Sequence, residues 1–125
     1  MKRVIQTDRA PAAVGAYSQA TATEDLVFTA GQIPLTANGD LLDDADVDVQ
    51  TEQALENLVA VLDAADASPE DVLKVTVYLD DIEDFEGMNP AYEGFFEPDP
   101  PARSAVGVDA LPKGVAVEIE AVASV

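Results

Sequence analysis

The clearest pattern in the chain is a stripe of apolar residues that recurs every three or four positions between Val47 and Ala65. This spacing places the apolar side chains along one side of a helix and the intervening acids and amides along the other. The stripe consists of Ala54, Leu55, Leu58, Leu62 and Ala65. The pattern therefore predicts a helix over 47–65 with one buried face.

Two stretches on either side of this helix have the composition of strands. Residues 72–79 read VLKVTVYL, a run that is rich in β-branched side chains and carries a single charge. Residues 26–35 read LVFTAGQIPL and predict a strand that Gly31 and Pro34 interrupt. A glycine within a strand lets another backbone or a ligand approach closely, so Gly31 is also a candidate position beside a ligand.

A second helix is predicted from Ile82 to Phe96, and Pro90 weakens its first turns. Its apolar side consists of Phe85, Met88, Tyr92, Phe95 and Phe96. A short helical turn is predicted earlier, where Ser68 is placed as an N-cap and Pro69 at the first helical position.

The chain then offers two more strand-like runs, 102–111 and 114–125, with turn residues between them. In the second run Glu118 and Glu120 share one face, while the alternate apolar residues share the other. The order of elements predicts a single α+β domain over 1–125, with two helices packed on one face of a mixed sheet. The face that carries the two acids is then either solvated or buried against another subunit.

Composition narrows the possible chemistry. The 125 residues include no Cys and no His, which excludes disulfides, thiolate nucleophiles, Cys/His zinc sites and Ser-His triads. We therefore expect no metal. The net charge of -19 is spread along the chain, resembles the surfaces of proteins from salt-loving cells, and repels phosphate backbones, so we expect no nucleic acid partner. No run is apolar enough to cross a bilayer, and we expect a soluble cytoplasmic protein without membrane contact.

Arg103 is the residue most suggestive of chemistry, because it is one of only three arginines and lies in an apolar run. Antiparallel pairing of the last two strands is expected to bring it opposite Glu118 on the same face. Ala105 and Gly107 follow at period two and leave room for a ligand beside the guanidinium, whose planar fork suits a carboxylate. The alternative is that Arg103 simply pairs with Glu118 or Glu120, and spacing alone favours this structural pairing.

Four blocks spread over nearly the whole chain carry a family resemblance. They are APAAVGAYSQA (10–20), FTAGQIPL (28–35), MNPAYEGFF (88–96) and PARSAVGVDALPKGVAVEIEAVA (101–123). Together they resemble the RidA family, also called the YjgF family, of reactive imine deaminases. The resemblance implies a chorismate-mutase-like fold, a homotrimer with active sites between subunits, and no cofactor. It also implies hydrolysis of 2-imino and enamine acids, such as 2-iminobutanoate and 2-aminoacrylate, to 2-oxo acids and ammonia.

The resemblance also assigns roles to positions of this chain. It implies that Arg103 binds the substrate carboxylate and that Glu118 positions the attacking water. It places Tyr17 and Asn89 in the cleft, and Gly31 where backbone groups approach the substrate. Each has a plainer reading: an interface residue for Tyr17, a turn or cap residue for Asn89, and a bulge for Gly31.

Two positions depart from the usual deaminase pattern. Ala30 stands where the family usually has Ser, and Ala105 stands where many members have Cys and would line the substrate site. The neighbouring Thr29 faces the other way along a strand and is not expected to replace the lost hydroxyl. The departure at Ala30 keeps open a non-catalytic ligand-binding or chaperone-like trimer. The resemblance also leaves a ribonuclease or translation inhibitor, which is ranked last because of the acidic surface and the missing His.

Overall fold

The computed structural model describes residues 1–125, which form six strands and two helices. In chain order these are β1 (Arg3–Ile5), β2 (Ala20–Ala22), β3 (Leu26–Thr29), α1 (Val47–Ala64), β4 (Val72–Leu79), α2 (Phe85–Glu93), β5 (Ala102–Gly107) and β6 (Val117–Ser124). Short 3₁₀ turns lie at Pro69–Asp71, Ile82–Asp84 and Pro112–Gly114. Neither helix has the length and apolar character needed to span a membrane. The predicted α+β class is confirmed.

The helix α1 confirms the apolar stripe, and every residue of that stripe is fully buried. Three polar residues of α1, Gln50, Thr51 and Asn57, are buried as well, and Asn57 has a structural task. The side-chain amide of Asn57 donates hydrogen bonds to the carbonyl oxygens of Ile33 and Leu35, at 3.0 and 2.8 Å. These bonds attach the segment that follows β3 to the helix, and so fix the position of that segment.

The six strands form one mixed sheet in the order β1-β2-β3-β6-β4-β5. All neighbours are antiparallel except β4 and β5, which run parallel. Along β6 the residues alternate between buried and half-buried, and the buried set, which includes Ile119, belongs to the core under the helices. Glu118 and Glu120 lie on the other face, as predicted. This open face also carries Phe28 and Val106, which are 46% and 39% exposed.

The predicted pairing of the last two strands is wrong. β6 lies between β3 and β4, whereas β5 lies at the edge of the sheet and pairs only with β4. The physical reason is that β4, α2 and β5 form a crossover unit, in which a helix joins two parallel strands. The long apolar alternation of β6 suits a central strand, and the short run of β5, with its small residues, suits an edge.

Other differences concern the ends of elements. The strand predicted over 26–35 ends at Thr29 and resumes only as a single bridge between Gln32 and Ile119. The helix predicted over 82–96 is a 3₁₀ turn followed by α2, which contains Pro90 and ends at Glu93. The turn predicted at 68–71 is confirmed as a 3₁₀ turn. The three-residue strands β1 and β2 were not predicted at all.

Candidate functional site

One half of the candidate site surrounds Arg103, on the edge strand β5. Arg103 is the register partner of Val75, a fully buried core residue, so its side chain leaves the sheet on the helix-covered face. There Nη1 of Arg103 donates a hydrogen bond of 2.7 Å to Oδ1 of Asn89 on α2. The Cζ atom of the guanidinium lies 5.1 Å from the ring centroid of Phe85 and 4.6 Å from that of Tyr92. These distances are within the range of cation–π attraction.

No carboxylate neutralises this guanidinium within the chain. The only ion pair joins Arg9 to Asp63, at 2.6 Å and on the surface. The expectation that Arg103 pairs with Glu118 or Glu120 is therefore wrong for the single chain. A cleft of about 460 Å³ opens beside the arginine, and we call it the Arg103 cleft. It is lined by Asn89, Tyr92, Glu93, Phe96, Glu97, Pro98, Pro100, Pro101 and Arg103.

Tyr92 in this cleft has an unusual environment. Only 3% of the residue is exposed, and its hydroxyl oxygen has no hydrogen-bond partner. Burial raises the pKa of the Tyr92 hydroxyl, and the positive charge of Arg103 opposes this rise in part. The hydroxyl therefore stays protonated, and the ring presents a neutral face to the guanidinium.

The other half of the candidate site surrounds Glu118, in the middle of the sheet. Glu118 is the register partner of Tyr78 and lies on the open face. A groove of about 640 Å³ lies beside it, and we call it the Glu118 groove. Its polar and small lining residues are Tyr17, Gln19, Ala30, Gly31, Gln32, Lys113 and Glu118, and its apolar walls are Pro11, Ala12, Val14, Ile33, Leu35 and Pro112.

Gly31 touches Glu118 so closely that only glycine leaves the carboxylate in place. A Cβ atom built on Gly31 would lie 2.5 Å from Oε2 of Glu118 and 2.8 Å from its Cδ. The approach is fixed by the backbone, because Gln32 and Ile119 exchange two hydrogen bonds of 2.8 and 3.0 Å. A close approach at Gly31 is thus present, but its partner is the carboxylate of Glu118 and not the backbone or ligand that the sequence predicts.

The surroundings of Glu118 favour its protonated form. Burial raises the pKa of the Glu118 carboxyl, and the negative charge of Glu120, two residues along the same face, raises it further. Glu120 itself accepts a hydrogen bond of 3.2 Å from the hydroxyl of Tyr78. A carboxylate with a raised pKa is a better proton acceptor when it is ionised, which suits the role of a general base.

Tyr17 reaches the Glu118 groove on a loop that a buried glutamine holds. Gln19 is 2% exposed, its Oε1 accepts from the backbone N–H of Thr7 at 2.7 Å, and its Nε2 donates to the carbonyl of Pro11 at 2.8 Å. These bonds fix both ends of the loop. Tyr17 itself is 55% exposed, which leaves its ring free for a ligand or for another subunit.

The structure therefore brings the predicted site residues together in two groups. Arg103 and Asn89 lie in the Arg103 cleft, and Tyr17, Gly31 and Glu118 lie in the Glu118 groove. Because side chains alternate along a strand, the registers of β5 and β6 against β4 put the two groups on opposite faces of the sheet. Ala105, listed with them from the sequence, shares the face of Arg103 but packs against the core and lines neither site.

Several residues of these sites were missed from the sequence, among them Gln19, Lys113 and Glu93. Gln19 lies within a resemblance block, but its burial is invisible without the fold. Lys113 lines the Glu118 groove and has a left-handed backbone with a φ of 58°. Glu93 lines the Arg103 cleft and follows Asn89 by one helical turn, a spacing that was available as a signal.

Comparisons with known proteins identify the family and agree with the fold. Residues 7–125 match the family described as Endoribonuclease L-PSP. A RutC family protein of Pyrococcus horikoshii is 49% identical over 98% of this chain and 98% of its own. The 2-iminobutanoate/2-iminopropanoate deaminase of Rattus norvegicus is 43% identical over 98% of this chain and 90% of its own. The crystal structure of E. coli TdcF with bound serine has a TM-score of 0.93 and 41% identity, and the match covers 98% of each chain.

The fold, with two helices on one mixed sheet, and the family match together define the class of this protein. The chain belongs to the Endoribonuclease L-PSP family, which is the RidA or YjgF family that its sequence resembles. The resemblance found in the four sequence blocks is confirmed.

Proposed function

We propose that this protein hydrolyses 2-imino acids and their enamine tautomers to 2-oxo acids and ammonia. The observation that carries the proposal is the state of Arg103. Its guanidinium is held by Asn89 and two aromatic rings, has no acidic partner, and keeps its other N–H groups for an anion. A fixed guanidinium with free donors is suited to a two-point grip on a substrate carboxylate.

The named relatives support a ligand of this kind. The rat relative is named as a 2-iminobutanoate/2-iminopropanoate deaminase, and both of its substrates are small carboxylates. The solved E. coli relative holds serine, which carries a carboxylate and a nitrogen on the adjacent carbon, as an imino acid does. We infer that the same chemical class enters the site of this chain.

The proposed reaction needs only groups that the chain supplies and one water molecule. Arg103 binds the carboxylate, and ionised Glu118 accepts a proton from a water whose oxygen attacks the imine carbon. Glu118 passes this proton to the imine nitrogen as the C–N double bond becomes a single bond, which leaves a hydroxyl and an amino group on the same carbon. Glu118 then takes the proton of that hydroxyl and passes it to the nitrogen as the C–O double bond forms and the C–N bond breaks, so that ammonia leaves and the 2-oxo acid remains. Tyr17 lines the same groove as Glu118.

Opposite faces of one sheet cannot serve one small substrate, so we propose that the site is shared between subunits of a homotrimer. In this arrangement the Arg103 cleft of one subunit faces the Glu118 groove of the next. The open sheet face supports assembly, because Phe28 and Val106 are large apolar residues left partly exposed there. A head-to-tail contact of this kind closes into a ring when the rotation is one third of a turn.

Subunit mixing tests the activity and the shared site together. Arg103→Lys keeps the charge but loses the planar fork, and should cost roughly 10-fold to 150-fold in kcat/KM. Glu118→Gln keeps the shape but cannot accept the proton, so turnover should fall while binding of 2-oxobutanoate persists. When the two variants are unfolded, mixed equally and reassembled, about one quarter of the sites receive both intact halves and regain activity.

Each outcome of the mixing experiment has a definite meaning. Imines are generated by a dehydratase and its amino acid, and their decay is followed with a trapping reagent. If mass spectrometry shows mixed trimers and activity does not recover, the shared site is wrong. If Arg103→Lys binds 2-oxobutanoate as tightly as wild type, the carboxylate role of Arg103 is wrong.

A specific observation favours a second candidate function, a non-catalytic binding protein. Ala30 lines the Glu118 groove where deaminases of the family usually have Ser, so one hydroxyl is missing from its wall. The nearby Thr29 does not replace it, because its Oγ1 accepts a hydrogen bond from the backbone N–H of Ala121 at 3.0 Å. Binding of 2-oxobutanoate without imine hydrolysis would favour this second function over the first.

A further inference from the structure

A chain of hydrogen bonds runs from Arg103 through Asn89 to Glu93. Asn89 and Glu93 lie four residues apart on α2, so their side chains are neighbours on one side of the helix. The Nδ2 of Asn89 donates to Oε1 of Glu93 at 3.0 Å, and the Oδ1 of Asn89 accepts from Nη1 of Arg103 at 2.7 Å. The amide thus connects an acid at one end to a guanidinium at the other.

The two ends of this chain allow the Asn89 amide only one orientation. An ionised carboxylate can only accept hydrogen bonds, and a guanidinium can only donate them. The –NH₂ group of Asn89 must therefore face Glu93, and its oxygen must face Arg103. Without Glu93, the amide is free to turn its own N–H groups toward the guanidinium, where they cannot bond.

We propose that Glu93 is a positioning residue, which acts through Asn89 to hold the Arg103 guanidinium in place for a substrate carboxylate. The rings of Phe85 and Tyr92 complete the support, since they attract the cation without occupying its N–H groups. An acid in direct contact would fix the arginine equally well, but it would compete with the substrate. Here the acid bonds to the amide of Asn89 and not to the arginine. The guanidinium is therefore held in place while its remaining N–H groups stay available to the substrate. This inference rests on the carboxylate-binding role proposed for Arg103.

A plainer view of Glu93 makes the opposite prediction. Glu93 is an exposed acid at the rim of the Arg103 cleft. If it does no more than add negative charge there, it repels anionic ligands, and its removal should tighten their binding. If it positions Arg103, its removal should weaken their binding. The sign of the change therefore separates the two views.

The binding experiment compares variants of the whole protein with 2-oxobutanoate as the probe, by calorimetry. We expect Glu93→Ala to raise the Kd about 3-fold to 10-fold, and Glu93→Gln, which keeps an acceptor, to recover part of the loss. We expect Asn89→Ala to raise the Kd to a similar degree. In the Asn89→Ala background, Glu93→Ala should have no further effect, because its route to Arg103 is gone.

Glu86→Ala is the matched control for the lost charge. Glu86 is an exposed acid in the first turn of the same helix and makes no hydrogen bond or ion pair with Arg103, Asn89 or Glu93. Its removal should leave the Kd and the imine hydrolysis rate unchanged. In the hydrolysis assay Glu93→Ala should raise KM more than it lowers kcat, since it disturbs carboxylate binding and leaves Glu118 intact. Tighter binding by Glu93→Ala, or equal effects in both backgrounds, would overturn the proposal.

A ligand-free measurement keeps this proposal separate from the proposed function. The chain has three arginines, so nitrogen-15 NMR of their Nε–H groups gives a simple spectrum, and Arg103→Lys assigns the signal of interest. A held guanidinium shows slow rotation and slow hydrogen exchange. Glu93→Ala should speed both for Arg103 alone. If Glu93→Ala speeds both processes while wild type binds no 2-oxo acid, the positioning role of Glu93 is confirmed and the proposed function is wrong. If Arg103 is unaffected, the positioning proposal fails whatever the protein binds.

Discussion

Replacing Gly31 by Ala is the sharpest test of the Glu118 groove. The new Cβ would lie 2.5 Å from Oε2, 2.8 Å from Cδ and 2.9 Å from Cγ of Glu118. To restore ordinary contact, the carboxylate must retreat by about 1 Å. A displacement of this size in a catalytic group costs on the order of 100-fold in rate, so we expect kcat/KM for imine hydrolysis to fall by about two orders of magnitude.

The same substitution should hardly affect stability. Gly31 does not have a positive φ, so alanine fits its backbone, and the side chain that must move is flexible at its end. We expect the free energy of unfolding to fall by about 1 kcal/mol or less. Gly94→Ala is the control, because its new Cβ would meet nothing nearer than a carbonyl oxygen at 4.0 Å. Wild-type kcat/KM in Gly31→Ala would refute the proposed link between this close approach and catalysis.

Three further predictions concern charge. Burial and then Glu120 raise the pKa of Glu118, so activity should fall as pH drops through a value above the usual glutamate range, and Glu120→Gln should move this limb to lower pH. A carboxyl whose pKa is raised by folding stabilises the folded state at pH values below its pKa in the unfolded chain. This stabilisation is lost as the pH rises through its pKa in the folded protein. At pH 7 we therefore expect Glu118→Gln to melt no lower than wild type. Finally, with a net charge of -19, the melting temperature should rise with potassium chloride up to molar concentration. A limb unmoved in Glu120→Gln would contradict the first prediction, a lower melting temperature of Glu118→Gln at pH 7 the second, and a salt-independent melting temperature the third.

The elements that the sequence predicted well are those with a long, regular period. The stripe of α1 extends over about three turns, from Ala54 to Ala65, and the alternation in β6 decides which face receives Glu118 without any knowledge of its neighbours. The strands β1 and β2 have three residues each, which is too short for a period to be visible. Their place in the sheet depends on contacts with β3, and local sequence does not encode these.

The candidate site was predictable as a set of residues but not as an arrangement. The resemblance blocks pointed to Arg103, Glu118 and Asn89, yet adjacency in sequence led to the wrong pairing of β5 with β6. β5 and β6 each pair with one edge of β4 and not with each other. The small residues of β5 do not indicate in advance that it pairs with β4 alone. The contact between Arg103 and Asn89 spans fourteen positions and depends on how α2 crosses the sheet.

The central place of β6 has a consequence for how the protein is made. β6 bonds to both β3 and β4, yet it is synthesised after every other strand. While the nascent chain still lacks β6 on the ribosome, β3 and β4 expose unpaired edges, and the apolar side of α1 has only part of a sheet to cover. The insertion of one late strand between two early ones joins the halves of the sheet. The same event sets Glu118 against Gly31, so the groove forms only when the fold itself closes.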